Sequence, residues 1–349
     1  FGFFGSFSGG VRPAEITLID TNSKHANVTF ARASVARYLD ASQILTQVAN
    51  NVERYEYDGY GNYLGLLVEH SRSNQMNASD RTLTNYTAKN GVTAAGSALA
   101  SYFTNSVQFP TSTATTNYAL VAQNTGSTSL VSIFVRMNDD TAPVVGANST
   151  NGDFCISAFG TGSTANIAAP PYETVYMGGG VYRVSGYNVG APSGLNFGIV
   201  QYPTQSGKGF RITGFCIENG IPMSSYIGTT VAPVVRQPDL VSTTLATIGI
   251  SAVAGTLFID HTAANGTALF SSGANAILSS QGAGKIAIAY DASGTRICYN
   301  GGTVTTGSAL TFSTALRIAM STASIATTCH IKKCTWHNTK LSASELQTL

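Results

Sequence analysis

From about residue 77 onward, the chain alternates short apolar segments with clusters of glycine, serine, asparagine and proline. The segment Val131–Arg136 is typical, because Val131, Ile133 and Val135 share one face at the two-residue period of a β-strand. Similar segments recur at intervals of roughly ten residues, each bounded by turn-forming residues. This spacing predicts an all-β protein built from antiparallel sandwiches.

The composition supports strands and excludes several other classes of protein. Charged residues make up 10% of the chain, against about 25% in an average domain, which is too few for a long coiled coil or a charge-rich disordered chain. The hydrophobic fraction of 43% is too high for disorder in general. The net charge of +2 gives no reason to expect a nucleic-acid partner.

Individual strands and turns can be placed along the chain. Asp58-Gly59 and Gly61-Asn62 predict a turn between two strands in residues 55–63, and Asp291–Gly294 predicts a second hairpin. Further strands are predicted at residues 27–32, 64–69, 131–136, 181–187, 195–202, 210–217, 256–259, 285–290, 295–299, 316–320 and 329–336. Ser342-Ala-Ser-Glu345 has the capping-box pattern and predicts a short C-terminal helix.

Three regions of the chain differ in composition. Residues 1–75 form the most charged stretch, and charged residues become sparse from about residue 77. Pro233 and Pro238 stiffen a junction before Asp239. We therefore expect an N-terminal anchor or assembly region at residues 1–75, a first β domain at 76–239 and a second at 240–349.

The stretch from Leu240 to Ile259 carries no charge and raises the question of a membrane span. Polar and small residues such as Ser242, Thr247 and Gly255 make it a poor spanning helix. We expect two buried strands with a turn near residues 252–255, and no membrane insertion.

The five cysteines are Cys155, Cys216, Cys298, Cys329 and Cys334. Their number is odd and they include no Cys-x-x-Cys pair, so we expect neither a disulfide framework nor a zinc site. Free, buried thiols of a protein assembled in a reducing compartment are the prediction.

No motif in the chain identifies a reaction. Glycan hydrolysis needs two opposed carboxylates, but Asp139 and Asp140 occupy a predicted turn, and Glu218 lies at a strand end where a structural hydrogen bond is expected. The histidines have no metal-binding spacing, and Gly178–Gly180 precedes a strand rather than a helix, which predicts a tight turn and no phosphate loop. We therefore expect no enzymatic activity, no metal and no cofactor.

The first ten residues alternate aromatic side chains with glycine and serine. Phe1, Phe3, Phe4 and Phe7 have no neighbours in sequence that would bury them. Exposed apolar groups of this kind usually mark interfaces, so these residues are candidate assembly and docking residues. Packing onto the chain's own core is the alternative.

Tyrosines are concentrated between residues 172 and 202. A tyrosine ring offers a flat apolar face and a polar tip, which suits stacking on sugars. Tyr172, Tyr176, Tyr182 and Tyr187 are therefore candidate glycan-binding residues, with core or inter-subunit packing as the alternative.

Three segments resemble one recurring set of bacteriophage virion proteins. The first has VTFARASVARYLDA at residues 28–41, ANNVER at 49–54 and GLLVEHSRSN at 65–74, and is similar to a signature of tail-fibre, tailspike and head-fibre proteins. The second has FCIENG at 215–220, SSYIGTT at 224–230 and RQPD at 236–239, and resembles the closing strands of jelly-roll, carbohydrate-binding-like modules. The third, Trp336 with KLSASEL at 340–346, resembles the end of concanavalin/laminin-G-like domains.

The resemblance implies an anchor at residues 1–75, a jelly roll at 76–239 and a concanavalin/laminin-G-like sandwich at 240–349. The protein would then be a head fibre, capsid decoration or tail fibre in the virion, a homotrimer in contact with capsid, portal or tail proteins. Weak multivalent adhesion to host cell-surface polysaccharide is the expected activity. A tailspike-type depolymerase and a purely structural decoration protein without a ligand are the alternatives, since fold does not fix function.

Overall fold

The structure is a computed structural model that describes residues 15–77, 79–80, 82–95, 99, 103–111, 115–122, 128–160, 163–166, 173–189, 196–220, 223–272, 275–313, 315–319 and 328–349. Nearly all of its regular structure is strand, and every sheet is antiparallel where the pairing is resolved between named strands. The predicted all-β fold class is confirmed. The candidate docking residues Phe1, Phe3, Phe4 and Phe7 lie outside the described residues.

The described chain divides into two compact units. One is continuous and spans Phe30–Asp239, and the other combines the described residues before 30 with Leu240–Leu349. Residues 30–75 cluster with 76–239 in this division, while the division at 239/240 coincides with a predicted border. The three-domain interpretation stays a prediction.

The strands of the first part of the chain are short. They are β1 (Glu15–Asp20), β2 (Ser23–Lys24), β3 (Thr29–Ala31), β4 (Ala36–Leu39), β5 (Leu45–Val48), β6 (Tyr55–Tyr57), β7 (Tyr63–Val68) and β8 (Arg72–Asn74). β4 pairs with β5 and β6 pairs with β7, each as a hairpin. The β6–β7 hairpin is the one that Asp58-Gly59 predicts.

A jelly roll occupies most of the continuous unit. Its strands are β9 (Ala88–Asn90), β10 (Thr93–Ala94), β11 (Val107–Phe109), β12 (Asn117–Ala122), β13 (Thr128–Met137), β14 (Cys155–Gly160), β15 (Ser163–Asn166), β16 (Glu173–Gly178), β17 (Val181–Val189), β18 (Asn196–Gln201) and β19 (Phe210–Glu218), with a 3-10 turn at Leu83–Asn85. The larger sheet has the order β10-β11-β19-β13-β17-β16, and the smaller has β15-β14-β18-β12-β9. Because the chain passes between the sheets after β9, β11, β12, β13, β15, β17 and β18, the connections are those of a jelly roll.

The core of the jelly roll lies between these two sheets. Val131, Ile133 and Val135 of β13 face it, as the two-residue period predicts, and Phe197 and Ile199 meet them from β18. All five side chains are buried. Burial of apolar area on this scale is the main favourable term in the folding of the unit.

Part of the outer face of the larger sheet is also covered by apolar side chains. Phe134 of β13 and Val181 of β17 point away from the core and pack with Leu45, Phe103 and Tyr226 in a second apolar cluster. The rings of Phe103 and Phe134 are 4.8 Å apart. Segments on both sides of the jelly-roll strands therefore complete this unit, because Leu45 precedes them and Tyr226 follows them.

The second unit contains β1, β2 and the last strands. The last strand of the first unit is β20 (Val234–Arg236). The strands of the second unit that follow it are β21 (Leu240–Thr244), β22 (Gly255–His261), β23 (Ala268–Ser272), β24 (Asn275–Ser279), β25 (Gly284–Asp291), β26 (Gly294–Tyr299), β27 (Thr305–Gly307), β28 (Ala315–Ile318) and β29 (Cys329–His337), with a 3-10 turn at Leu245–Ile248. One sheet includes the path β2-β1-β29-β22-β25-β26-β27, and the other includes β24-β23-β28-β21.

Both faces of the central strand β22 are buried. Leu257 and Ile259 share one face, and Phe258 on the other packs with Leu341 and Leu346. Leu346 belongs to helix α1 (Ala343–Leu346), whose N-cap is Ser342. Ser342 and Glu345 form the predicted capping box, so the predicted short C-terminal helix is confirmed.

The remaining sequence predictions concern the cysteines and the membrane. All five cysteines are free and buried, as predicted. Among the described residues, no helix has the length and apolar character that a membrane crossing requires.

Candidate functional site

A buried arginine–carboxylate cluster lies in the first unit and consists of Arg32, Arg54, Glu69, Arg236 and Asp239. Arg54 donates to Glu69 Oε2 at 2.6 Å and to Asp239, and Arg32 Nη1 donates to Asp239 Oδ1 at 3.0 Å. Arg236 donates to the same Glu69 oxygen as Arg54. All five side chains are at most 1% exposed.

The charges of the cluster support one another. Burial acts to raise the pKa of Glu69, but the guanidinium groups of Arg236 and Arg54 outweigh it and hold that pKa well below its ordinary value. Burial acts to lower the pKa of Arg54, and the carboxylates of Asp239 and Glu69 raise it further than burial lowers it. Glu69 and Arg54 are therefore held charged, and all five side chains are out of contact with solvent, so the role of the cluster in this unit is structural.

Glu218 has a similar structural environment. It is buried, accepts a hydrogen bond from Ser224 Oγ at 2.5 Å, and lies 3.4 Å from Arg183 Nη2. The structural hydrogen-bond partner expected from its place at a strand end is therefore present. Asp139 and Asp140 are exposed in a turn, as predicted.

Three tyrosine rings meet at the edge of the larger jelly-roll sheet and form what we call the tyrosine platform: Tyr60, Tyr176 and Tyr182. The Tyr60 and Tyr176 ring centroids are 4.8 Å apart, and those of Tyr176 and Tyr182 are 5.0 Å apart. Tyr60 is 72% exposed, and the other two are half-buried. The platform is thus an aromatic surface that solvent reaches from one side.

Local sequence explains how two of the tyrosines meet. Tyr176 of β16 and Tyr182 of β17 are directly opposite each other across a hairpin, and such cross-strand pairs lie close together. The turn between them contains Gly178, Gly179 and Gly180, with φ of 90°, 58° and 76°. Only glycine adopts such angles in succession without steric cost.

Tyr60 reaches the platform from the turn of the β6–β7 hairpin. Asp58 Oδ1 accepts hydrogen bonds from the Tyr60 and Asn62 amides at 2.9 and 2.8 Å, which fixes the turn. A Cβ at Gly59 would lie 2.2 Å from the carbonyl oxygen of Tyr176. Glycine at position 59 therefore allows the turn to touch the edge strand β16 and places Tyr60 beside Tyr176.

A surface cavity of about 530 Å³ is lined by the platform and by Arg136, Asp140, Gly179 and Gly180. Arg136 Nε donates to Asp140 Oδ1 at 3.1 Å. A Cβ at Gly180 would lie 3.1 Å from that oxygen and 3.3 Å from Arg136 Nε. The glycine turn thus leaves room for this ion pair beside the aromatic rings.

The platform supplies a neutral hydroxyl group at Tyr182. Burial, with smaller effects of Tyr60 and Tyr176, raises the pKa of Tyr182. The Tyr182 hydroxyl therefore stays protonated and can both donate and accept hydrogen bonds. The cavity combines aromatic faces, hydroxyls, one guanidinium and one carboxylate, which are groups suited to binding rather than to a defined reaction.

Two of the four predicted glycan-binding tyrosines, Tyr176 and Tyr182, are in contact. Tyr187 lies on β17 at the register position opposite Leu130, and Tyr172 lies outside the described residues. Sequence reasoning missed Tyr60, although an aromatic residue between two turn glycines, in Gly59-Tyr60-Gly61, was a usable signal. Glycan binding by these residues stays a prediction.

Comparison with known proteins adds little. No family model and no curated protein matches the sequence. Among solved structures, the N-terminal CBM22-1–CBM22-2 tandem domain of Xyn10C from Paenibacillus barcinonensis is similar to the chain, with a TM-score of 0.28, 10% sequence identity, and coverage of 76% of this chain and 97% of that chain. A likeness at this level carries no weight for function, for which this chain's own side chains are the evidence.

Proposed function

We propose that this protein is a non-catalytic glycan-binding protein and that the tyrosine platform holds the sugar. The observation that supports this proposal is the contact of three tyrosine rings, 4.8 and 5.0 Å apart, in the wall of a cavity of about 530 Å³. The apolar face of a sugar ring packs on such aromatic faces, and its hydroxyls find partners in tyrosine hydroxyls, Arg136 and Asp140.

We further propose that the protein works in a bacteriophage virion, as a head fibre, capsid decoration or tail fibre. This part rests on the resemblance of residues 28–74 to the signature of such proteins. In that setting a homotrimer, attached to capsid, portal or tail proteins, would present several weak sites to host polysaccharide. Multivalent contact raises the effective affinity without any new contact at the single site.

The binding proposal is tested on a glycan array with the protein displayed in many copies on beads, followed by calorimetry on the strongest ligand. Tyr60→Ala removes one exposed ring and is expected to weaken binding about 2- to 13-fold, the effect of an aromatic contact of about 0.5–1.5 kcal/mol. Val231→Ala is the control, because Val231 is 85% exposed and does not line the cavity. Absence of any ligand, or equal binding by Tyr60→Ala and the unmodified protein, would contradict the proposal.

The proposed absence of catalysis and the proposed location in a virion have separate tests. Incubation with the bound polysaccharide is expected to release no new reducing ends, and their release would favour a depolymerase. Mass spectrometry of purified virus particles whose genome encodes the chain is expected to detect its peptides. Particles that contain none of them would overturn the virion assignment and leave the binding proposal intact.

A further inference from the structure

A row of polar side chains crosses the outer face of the larger jelly-roll sheet, and we call it the arginine row: Thr93, Gln108, Arg211 and Arg136. The register pairs Thr93 with Gln108, Gln108 with Arg211, and Arg211 with Arg136, across the four adjacent strands β10, β11, β19 and β13. Their neighbours along the strands, such as Val135 and Ile212, face the core. Because successive side chains of a strand point to opposite faces of the sheet, the arginine row lies on the face that is turned away from the core.

The arginine row lines a cavity of its own. This cavity measures about 410 Å³, and all four members of the row contribute to it together with Asn138 and Asp140. Arg136 and Asp140 also line the cavity of the tyrosine platform. The two cavities therefore adjoin at Arg136, and a ligand stacked on the platform has a guanidinium group at its next position.

Two arginines directly opposite each other are an unfavourable arrangement in a sheet, since like charges in that relation destabilise the pairing. A local departure from the stabilising pattern is typical of a functional site. The carboxylate that pairs with Arg136 is weakly held, because the Asp140 side chain is 64% exposed and the two residues form an i,i+4 surface pair. Pairs of this kind contribute little, so a ligand anion can take the place of Asp140.

From these observations we infer that the glycan is acidic, and that Arg136 and Arg211 bind its anionic group. This inference rests on the proposed glycan-binding function and adds the class of ligand. A guanidinium group presents N–H donors in a planar fork that matches a carboxylate or a sulfate. The ligand is thus a sugar with a carboxylate or sulfate group close to the ring that stacks on the platform.

The test uses an array in which each glycan is present in neutral, carboxylated and sulfated forms. The unmodified protein is expected to bind an anionic form about ten- to a hundredfold more tightly than its neutral match, because hydrogen bonds to charged groups are strong. Carboxyl reduction of a carboxylated ligand is expected to remove this preference. Comparison of the carboxylated form with the sulfated form of each glycan shows which of the two anionic groups the protein binds.

Arg211→Gln is expected to bind the anionic form at the level of the neutral one, and Arg211→Lys to lie between. Lys208→Gln is the matched control, because Lys208 is a surface cation that lines neither cavity. Thermal melting of each variant shows that it is folded. Equal binding of neutral and anionic forms, or a preference that survives in Arg211→Gln, overturns the inference; if Tyr60→Ala still weakens binding, the proposed function stands. No binding to any member of the array overturns both.

Discussion

Replacement of Glu69 by glutamine is expected to unfold the first unit at a markedly lower temperature. In the arginine–carboxylate cluster, Glu69 accepts from Arg54 and Arg236, and the Ser225 amide donates to its other oxygen at 2.7 Å. Glutamine keeps the size of the side chain but leaves three buried guanidinium groups with Asp239 as their one carboxylate. Removal of one partner from a buried ion pair costs about 3–5 kcal/mol. In a unit of roughly 200 residues each kcal/mol shifts Tm by about 2–4 °C, so we expect a fall of about 6–20 °C.

The measurement is thermal and urea unfolding followed by circular dichroism. The control is Asp139→Asn, which removes a carboxylate 2.9 Å from Lys208 at an exposed site and is expected to cost less than about 1 kcal/mol. Adding Arg236→Gln to Glu69→Gln restores the charge balance, so the double variant is expected to cost less than the sum of the single changes. The reasoning is refuted if Glu69→Gln melts within about 4 °C of the unmodified protein, or if it melts normally and loses only ligand binding.

Two further predictions concern the second unit and the whole protein. Burial lowers the pKa of His261 to about 4, from about 6.5 in an unfolded chain. The neutral side chain therefore stabilises the folded unit fully above pH 6.5, and this contribution is lost as the pH falls from 6.5 to 4. The Tm of the second unit is expected to drop over that range, and to drop less in His261→Asn, which keeps an acceptor for the Ala263 amide. If the Tm of His261→Asn fell with pH as much as that of the unmodified protein, the titration of His261 would not be the cause of the drop. The low charge content, 10% of residues, also leads us to predict a symmetric oligomer, and the resemblance of residues 28–74 to virion proteins implies that it is a homotrimer. Light scattering should then give three times the mass of one chain, and the mass of a single chain would contradict the prediction.

Local features of the fold were predictable from sequence because short-range chemistry determines them. The period of Val131, Ile133 and Val135 identified a strand and its core face, Asp58-Gly59 identified a hairpin, and Ser342 with Glu345 identified a helix start. Each of these signals lies within a few residues of the structure that it produces.

The order of strands and the makeup of the site depend instead on contacts between distant residues. β11 pairs with β19 about a hundred residues later, and Tyr60 meets Tyr176 at a similar separation. No local pattern links such positions. For the same reason Glu69 and Arg236 could be recognised as parts of two separate sequence segments, but not as partners in one buried cluster.

The pairing of β1 with β29 has a consequence for synthesis of the protein on the ribosome. Glu15 lies opposite His337 and Ile19 opposite Cys334. The strand β1 therefore cannot pair with β29 until residues 334–337 have been translated. Residues 30–239 emerge in the meantime as one continuous stretch. Since domains generally fold as units during synthesis, we expect the jelly-roll unit to fold first and the split unit to fold last.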